Sequence, residues 1–172
     1  MIKLLGAAFI LFATSAAGFL TAKRFKDRPR QIRQLRAALS LLQTEITYGS
    51  RRLDQVCAHI AQREAAPIGS LFGWAGEYME RLDGASTFEC WRRAVTQTWP
   101  HTVLKETEKQ ILLDFGKTLG ISDREDQLQN LRRAQTALEG EEALARDEQE
   151  RYEKMCRSLG VLTGALIVIL IY

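Results

Sequence analysis

Residues 122–159 read SDREDQLQNLRRAQTALEGEEALARDEQERYEKMCRSL, and this stretch decides the fold class. It contains no proline, and its apolar residues recur at the spacing of a helix that packs along one stripe. That stripe comprises Leu128, Leu131, Leu138, Ala145, Tyr152 and Leu159. Ser122 and Glu125 form a capping box, which predicts that the helix begins close to Asp123. The sequence therefore predicts one long helix, with Gly140 as a candidate bend.

The charged residues of this helix indicate exposure to water. Four acidic residues are each followed by a basic residue four positions later, and such a pair stabilises a helix by about 0.2–0.5 kcal/mol. The pairs are Glu142–Arg146, Asp147–Arg151, Glu150–Lys154 and Glu153–Arg157. We interpret the acidic cluster at residues 139–142 as a solvated helix face rather than a catalytic or metal-binding group. We therefore expect a rigid, charged post that runs into the apolar C-terminal segment.

Shorter helices are predicted upstream, because helical spacing recurs there and strand-like alternation is almost absent. Residues 32–46 carry an apolar stripe, with Asp27 as the predicted N-cap, Pro29 in the first turn and Gly49 at the end. Four further helices are expected at about residues 53–64, 68–82, 86–99 and 103–119. Together with the long last helix, they predict an all-α antiparallel bundle of about six helices over residues 25–158.

Local signals mark the ends of these helices. Ala66–Pro67 predicts a break, Ser86 with Glu89 forms a second capping box, and Gly120 closes the fifth helix. The aromatic residues of the bundle fall at helical spacing, which is typical of a core. We interpret them as core residues and not as a cofactor pocket.

The N-terminal segment Leu4–Ala22 is a run of 19 residues without a charge, about 28 Å long as a helix. That length is just enough for the hydrocarbon core of a bilayer, which is about 30 Å thick. A cleaved signal peptide is the alternative, with Ser15–Ala17 as the cleavage site. The apolar run, however, continues beyond that site to a basic stop-transfer pattern at Lys23–Lys26. We therefore predict a transmembrane anchor over residues 1–24.

The C-terminal segment, residues 159–172, reads LGVLTGALIVILIY and is about 21 Å long as a helix. It is short for a full span, so a buried terminal helix or an interfacial segment is the alternative. Residues 167–171 are uniformly apolar and leave such a helix without a polar face for water. We therefore predict a second, short membrane segment here.

The charge distribution orients the chain. Seven basic residues and one acidic residue lie between Lys23 and Arg36, whereas only Lys3 precedes the first apolar segment. Basic residues beside a span stay on the cytoplasmic side, so we expect a cell-membrane protein with a cytoplasmic body. Because this positive charge is local and is not spread over the body, we expect no binding of nucleic acid.

No motif for nucleotide binding, metalloprotease chemistry or serine hydrolysis occurs in the sequence. Cys57, Cys90 and Cys156 form no CxxC pair, and we interpret them as reduced, buried thiols. His59 and His101 stand alone. We therefore predict no catalytic residue, no cofactor and no metal site.

The basic segment contains the candidate docking residues. Arg30, Arg33 and Arg36 share the outward face of the predicted first helix of the bundle and lie beyond the immediate membrane edge. One interpretation is a docking surface for an acidic partner. The other is topological, in which the segment is held at the anionic leaflet.

Four motifs are distinctive. They are residues 28–39 (RPRQIRQLRAAL), Tyr48–Gly49, residues 115–120 (FGKTLG) with Asp123–Glu125, and residues 151–155 (RYEKM) with 158–160 (SLG). Together with the short apolar tail that ends at Tyr172, they resemble the stage III sporulation protein AB family of endospore-forming Firmicutes. The resemblance spans nearly the whole chain.

This resemblance implies a component of the channel that links mother cell and forespore, located in the mother-cell membrane around the forespore. The family is similar to the inner-membrane platform proteins of type II secretion and type IV pilus machines, with their helical F domain. We therefore expect a non-enzymatic adaptor whose partners are a cytoplasmic secretion-type ATPase, membrane ring components and lipids. Homo-oligomerisation stays open. The alternative is a lipid-surface helical scaffold with no ATPase partner, and an enzyme ranks third.

Overall fold

Long helices at both ends of the chain frame the structure. It is a computed structural model that describes the backbone of residues 2–49, 51–81, 84–120 and 123–171, with side chains for those between 23 and 155. The first helix, α1, spans Ile2–Tyr48, and the last, α6, spans Arg124–Ile171. Each is roughly 70 Å long at 1.5 Å per residue, and the two pack along each other.

Four shorter helices connect this helix pair. They are α2 at Leu53–Arg63, α3 at Ile68–Glu80, α4 at Thr87–Thr98 and α5 at Glu106–Gly116, and a 3₁₀ turn covers Trp99–His101. α2 packs on α3, α3 on α4, α4 on α5 and α5 on α6, so the chain winds from one member of the helix pair to the other. The predicted all-α bundle of about six helices is confirmed for the described part of the chain.

Most predicted helix ends are confirmed. α1 ends directly before Gly49, and Ala66–Pro67 separates α2 from α3. Ser86 caps α4, since its Oγ accepts a hydrogen bond from the backbone N–H of Glu89 at 3.1 Å. α5 is shorter than predicted at both ends, and Gly120 follows it with a φ of +80°, a conformation that favours glycine. Ser122, the predicted cap of α6, lies outside the described residues.

The predicted start of a helix at Asp27 is wrong, because α1 runs unbroken through Pro29. An interior proline costs about 3 kcal/mol, since it removes a backbone hydrogen bond and crowds the preceding turn. Contacts with α6 hold α1 in place around this proline. Phe25 stacks on Tyr152 with ring centroids 4.6 Å apart, and Arg28 makes buried ion pairs. Tertiary packing therefore overrides the local signal for a helix start.

The core lies between the helix pair and the shorter helices. The predicted apolar stripe of α1 is buried, and so are Leu131, Leu138 and Ala145 of the predicted stripe of α6. The fully buried apolar residues of this stripe are Ile32, Leu35, Ala38, Leu39 and Leu42, whereas Ile46 at its end is partly buried. When apolar stripes on two helices face each other, they bury apolar surface between them. The helical spacing of these stripes therefore sufficed to predict an all-α fold.

Trp91 is the central aromatic residue of this core. It makes edge-to-face contacts with Phe72 and Phe115, with ring centroids 5.5 Å and 5.7 Å apart. Its Nε1–H donates a hydrogen bond of 2.8 Å to the backbone oxygen of Leu112. α5 passes so close that a Cβ on Gly116 would lie 2.2 Å from the indole Cδ1. The interpretation of the aromatic residues as core is thus confirmed for these three.

The two predicted membrane segments, residues 4–22 and 159–172, lie outside the residues whose side chains the structure describes. α1 and α6 run across the predicted domain boundaries, which fall after residues 24 and 158. Over the described residues between 23 and 155, no helix has the length and apolar character to cross a membrane. The assignment of membrane segments to the two ends therefore stays a prediction.

Candidate functional site

The candidate functional site is the row of ion pairs where α1 packs against α6, which we call the charged seam. Phe25 of α1 stacks on Tyr152, whereas Arg36, further along α1, pairs with Glu139, which stands earlier in α6. Partner positions on α6 thus fall as positions on α1 rise, so the two helices are antiparallel. Consequently, the described parts of both helices that adjoin the apolar segments lie at the same end of the bundle.

Arg28 organises the first group of charges in this seam. It is only 5% exposed, and its Nε and Nη2 donate to Oε1 of the fully buried Glu108 at 2.9 Å and 2.6 Å. Nη2 also donates to Glu141 at 2.9 Å, and Nη1 donates to Glu148 at 2.9 Å. We call Arg28, Glu108, Glu141 and Glu148 the Arg28 cluster. It joins α1, α5 and α6 through one guanidinium group.

The Arg28 cluster also fixes the loop that precedes α5. The second carboxylate oxygen of Glu108 accepts a hydrogen bond from the backbone N–H of Lys105 at 2.8 Å, which caps α5. Lys105 Nζ donates to Glu148 at 2.6 Å, and this bond is the main cause that lowers the pKa of Glu148. Gln31 Oε1 accepts from the backbone N–H of Val103 at 3.0 Å. α1 therefore positions the start of α5 through side chains.

Glu142 organises the second group of charges. Its carboxylate is 3% exposed and accepts hydrogen bonds from Arg36 Nη1 at 2.7 Å, from Arg33 Nε at 3.2 Å and from Arg146. Burial raises the pKa of Glu142, but the hydrogen bonds from the three arginines lower it by more. The carboxylate is therefore ionised at neutral pH. We call these four residues the Glu142 cluster.

The three predicted docking residues differ in their surroundings. Arg33 and Arg36 belong to the Glu142 cluster, and Arg36 also pairs with Glu139 at 3.3 Å. Arg30 is exposed and has no ion pair within the described part of the chain. Their role in docking stays a prediction. Two of the three, however, also hold α1 against α6, so a substitution there changes more than a surface charge.

The interpretation of residues 139–142 as a solvated face is wrong for the second half of this cluster. Glu142 is buried and the Glu141 side chain is 18% exposed, whereas Glu139 is 67% exposed. The predicted long helix that runs into the apolar C-terminal segment is confirmed, because α6 is unbroken from Arg124 to Ile171, but it is not a post exposed to water on all sides. α6 does not project alone over its described length but lies along α1, whose arginines reach its carboxylates.

The sequence analysis did not single out the buried charged residues Arg28, Glu108 and Glu142, although the spacing of the apolar stripes could have identified them. Arg28 stands four residues before Ile32, and Glu108 stands four residues before Leu112, so both extend a buried stripe by one turn. Glu142 likewise falls in the α6 stripe, four residues after Leu138. A charged residue within an apolar helix stripe thus indicates a buried ion pair.

The side chains of this site form ion pairs between arginine and glutamate. Among the described residues, no group of three or more His, Cys, Asp or Glu side chains could hold a metal ion. Cys57 and Cys90 are reduced thiols and are buried, which confirms the interpretation for these two, and Cys156 lies outside the described side chains. Burial raises the pKa of the Cys57 thiol to about 12, so it is unreactive at neutral pH.

The fold and the seam define the class of this protein, a helical bundle in which four short helices pack in series between the two members of one long antiparallel helix pair. The sequence model of the stage III sporulation protein AB family matches residues 3–172. The chain is 43% identical over 172 residues to stage III sporulation protein AB of Bacillus subtilis (strain 168), and the match covers 99% of both chains. The chain therefore belongs to the stage III sporulation protein AB family.

A solved structure supports the same assignment. The structure of stage III sporulation protein AB (SpoIIIAB) is 38% identical in sequence and matches with a TM-score of 0.69, covering 73% of this chain and 98% of that one. The resemblance that the sequence motifs indicated is thus confirmed. The family is named for sporulation and not for a catalysed reaction.

Proposed function

We propose that this chain is a non-enzymatic membrane platform of the channel between mother cell and forespore, where it couples a cytoplasmic secretion-type ATPase to membrane ring components. The observation that carries this proposal is the antiparallel pairing of α1 and α6. Because the two helices run in opposite directions, the apolar segments at residues 4–22 and 159–172 continue from the same end of the bundle. This arrangement allows both segments to enter the same membrane from the same side, as we propose for the platform.

The charges at that end support the orientation of the platform. Lys23, Arg24 and Lys26 are exposed where α1 leaves the first apolar segment. Basic residues in this position favour the anionic cytoplasmic leaflet and keep the body on the cytoplasmic side. The body is then accessible to a cytoplasmic ATPase.

The seam also supports a mechanical role. The Arg28 cluster joins three helices, and the Glu142 cluster joins α1 to α6 through arginines that lie one to two turns further along α1. Buried charge pairs tolerate little change in register, because a shifted helix leaves a charge unpaired in the interior. A helix pair held in this way transmits a displacement from the body to its membrane end as a unit.

Binding to the ATPase tests the proposal. The full chain is reconstituted in phosphatidylcholine nanodiscs, with and without phosphatidylglycerol, and the purified secretion-type ATPase of the same complex is titrated against it. We expect saturable binding in both lipids and none to empty nanodiscs. Absence of binding in both lipids would contradict the proposal and favour a lipid-surface scaffold without an ATPase partner.

A further inference from the structure

A continuous basic surface runs along one side of the helix pair. Two adjoining grooves between α1 and α6 share Arg33 as a lining residue. The basic side chains that line the grooves are Lys26, Arg30, Arg33, Arg36, Arg132 and Arg146, and we call them the basic strip. The strip therefore combines residues from both helices and exists only when the pair is formed.

The acidic residues of these grooves do not neutralise the basic strip. Asp27, Glu139 and Glu150 line the edges, and Glu142 adds one buried carboxylate, so six basic groups face four acidic ones. Lys26, Arg30 and Arg132 make no ion pair within the part of the chain that the structure describes. The strip thus keeps a net positive charge.

Glu142 holds the central arginines in place without using up their hydrogen-bond donors. Arg33 gives only its Nε–H to Glu142, and its side chain is 61% exposed. A guanidinium group carries five N–H donors in a fixed plane, so most donors of Arg33 stay available. Arg146 is anchored to the same carboxylate and is more than half exposed. Such positioned guanidinium groups are suited to carboxylates, which accept two parallel hydrogen bonds.

We infer that the basic strip binds an acidic helix of a partner protein. The strip runs from Lys26 to Arg36 on α1, which is about 15 Å or three helical turns. Carboxylates three or four residues apart on a partner helix lie on one face and match the one-turn spacing of Arg33 and Arg36. This inference rests on the proposed function, since it names the chemistry by which the platform holds its partner.

Distance from the membrane favours a protein segment over a lipid headgroup. Arg33 follows Ala22, the end of the uncharged run, by eleven residues, which is about 16 Å along α1. The headgroup region adds only about 5–8 Å to each side of the hydrocarbon core. Most of the strip therefore lies beyond the reach of headgroups in the leaflet where α1 is anchored.

The test uses a fluorescent 15-residue helical peptide with glutamates on one face, and the same peptide with glutamines in their place. Binding is measured to the full chain in phosphatidylcholine nanodiscs. The variant Arg30→Glu with Arg132→Glu reverses two strip residues that make no ion pair within the described residues. The matched control, Arg63→Glu with Arg133→Glu, makes the same charge change at exposed residues outside the strip. Far-UV circular dichroism verifies that both variants are folded.

We expect the glutamate peptide to bind, the glutamine peptide to bind at least tenfold more weakly, and the strip variant to lose at least tenfold in affinity. The control should stay within twofold of the unchanged chain. Equal losses in the two variants, or equal binding of the two peptides, would overturn the inference. So would a lack of peptide binding combined with phosphatidylglycerol vesicle binding that the strip variant loses.

The ATPase titration separates this inference from the proposed function. If the ATPase binds the strip variant and the unchanged chain equally well, the inference falls while the proposed function stands. If the glutamate peptide follows the expected pattern but the ATPase does not bind at all, the strip recognises acidic helices while the proposed function falls.

Discussion

Arg28 and Glu108 form an ion pair that is almost completely removed from water. Further hydrogen bonds help to offset the desolvation of this pair, because Arg28 also donates to Glu141 and Glu148, and Glu108 also accepts from the backbone N–H of Lys105. Removing one partner leaves the other as a buried charge without compensation.

We predict that Arg28→Met lowers the free energy of unfolding by about 3–5 kcal/mol, because it leaves the buried Glu108 carboxylate without its guanidinium partner. Adding Glu108→Gln should restore part of this loss, since the amide carries no charge. Urea unfolding of the full chain in detergent, followed by tryptophan fluorescence and circular dichroism, measures both changes.

Arg30→Met is the matched control for this prediction. Arg30 stands two residues along α1, is exposed, and makes no ion pair within the described residues. Its substitution should change stability by less than about 0.5 kcal/mol. If Arg28→Met is as mild as Arg30→Met, or if Glu108→Gln adds to the loss, the Arg28 cluster does not stabilise the fold as we describe.

At the scale of elements, the pairing of α1 with α6 depends on carboxylates that must stay ionised. The pKa of Glu142 is lowered, because the hydrogen bonds from three arginines outweigh the opposite effect of burial. The pKa of Glu148 is lowered by the hydrogen bond from Lys105 and by the charge of Arg28. Each group therefore contributes stability that is present above the unfolded pKa of about 4.3 and is lost as pH falls through the lower folded pKa.

We predict that the free energy of unfolding is steady from pH 7 to pH 5 and declines as the pH falls below about 4.3. Protonation removes the acceptors that join α1 to α6, so the decline should be steeper for the unchanged chain than for Glu142→Gln. Urea unfolding at a series of pH values gives both curves. Parallel curves for the two chains would show that Glu142 does not link pairing to pH.

The control for this pH series is Glu125→Gln. Glu125 lies in the first turn of α6, is exposed, and makes no ion pair within the described part of the chain. Its substitution should leave the shape of the pH curve unchanged. A flattened curve for this variant would assign the pH dependence to net charge rather than to the seam.

At the scale of the whole molecule, the proposed membrane arrangement depends on the antiparallel helix pair. α1 and α6 have nearly the same length, and their described parts next to the apolar segments lie at one end. In the proposed arrangement, the body beyond the basic residues faces the cytoplasm. Both chain termini are expected on the opposite side of the membrane.

We predict that an impermeant maleimide labels Ile2→Cys and Tyr172→Cys in intact cells, because both termini face outward in the proposed arrangement. The experiment uses a chain in which Cys156 is replaced by serine, while Cys57 and Cys90 are buried and stay unlabelled until the cells are lysed and the protein is unfolded. Labelling is read by mass shift after purification.

Ser40→Cys is the control, since Ser40 is exposed on the body and should be labelled only after lysis. Labelling of Ser40→Cys in intact cells would contradict the orientation. Labelling of Ile2→Cys without Tyr172→Cys would show that the C-terminal segment enters the membrane without crossing it.

The order of the helices and most of their ends could be predicted from the sequence, whereas the ion pairs of the seam could not. The ends at Gly49 and Ala66–Pro67 follow from local chemistry, so they could be read directly. Pro29 could not, because whether an interior proline stops a helix depends on what packs against that helix. The sequence places the predicted docking residues Arg33 and Arg36 on one helix face, but their shared partner Glu142 lies about one hundred residues away.

The sequence by itself determined that the chain is a series of helices with apolar ends, because helical periodicity and hydropathy are properties of neighbouring residues. Only the tertiary structure decided which charges are internal. Arg28, Glu108 and Glu142 resemble surface residues by type, and they are buried because α1, α5 and α6 bring opposite charges together. A contact between distant positions depends on how helices pack, and that packing is a property of the whole chain.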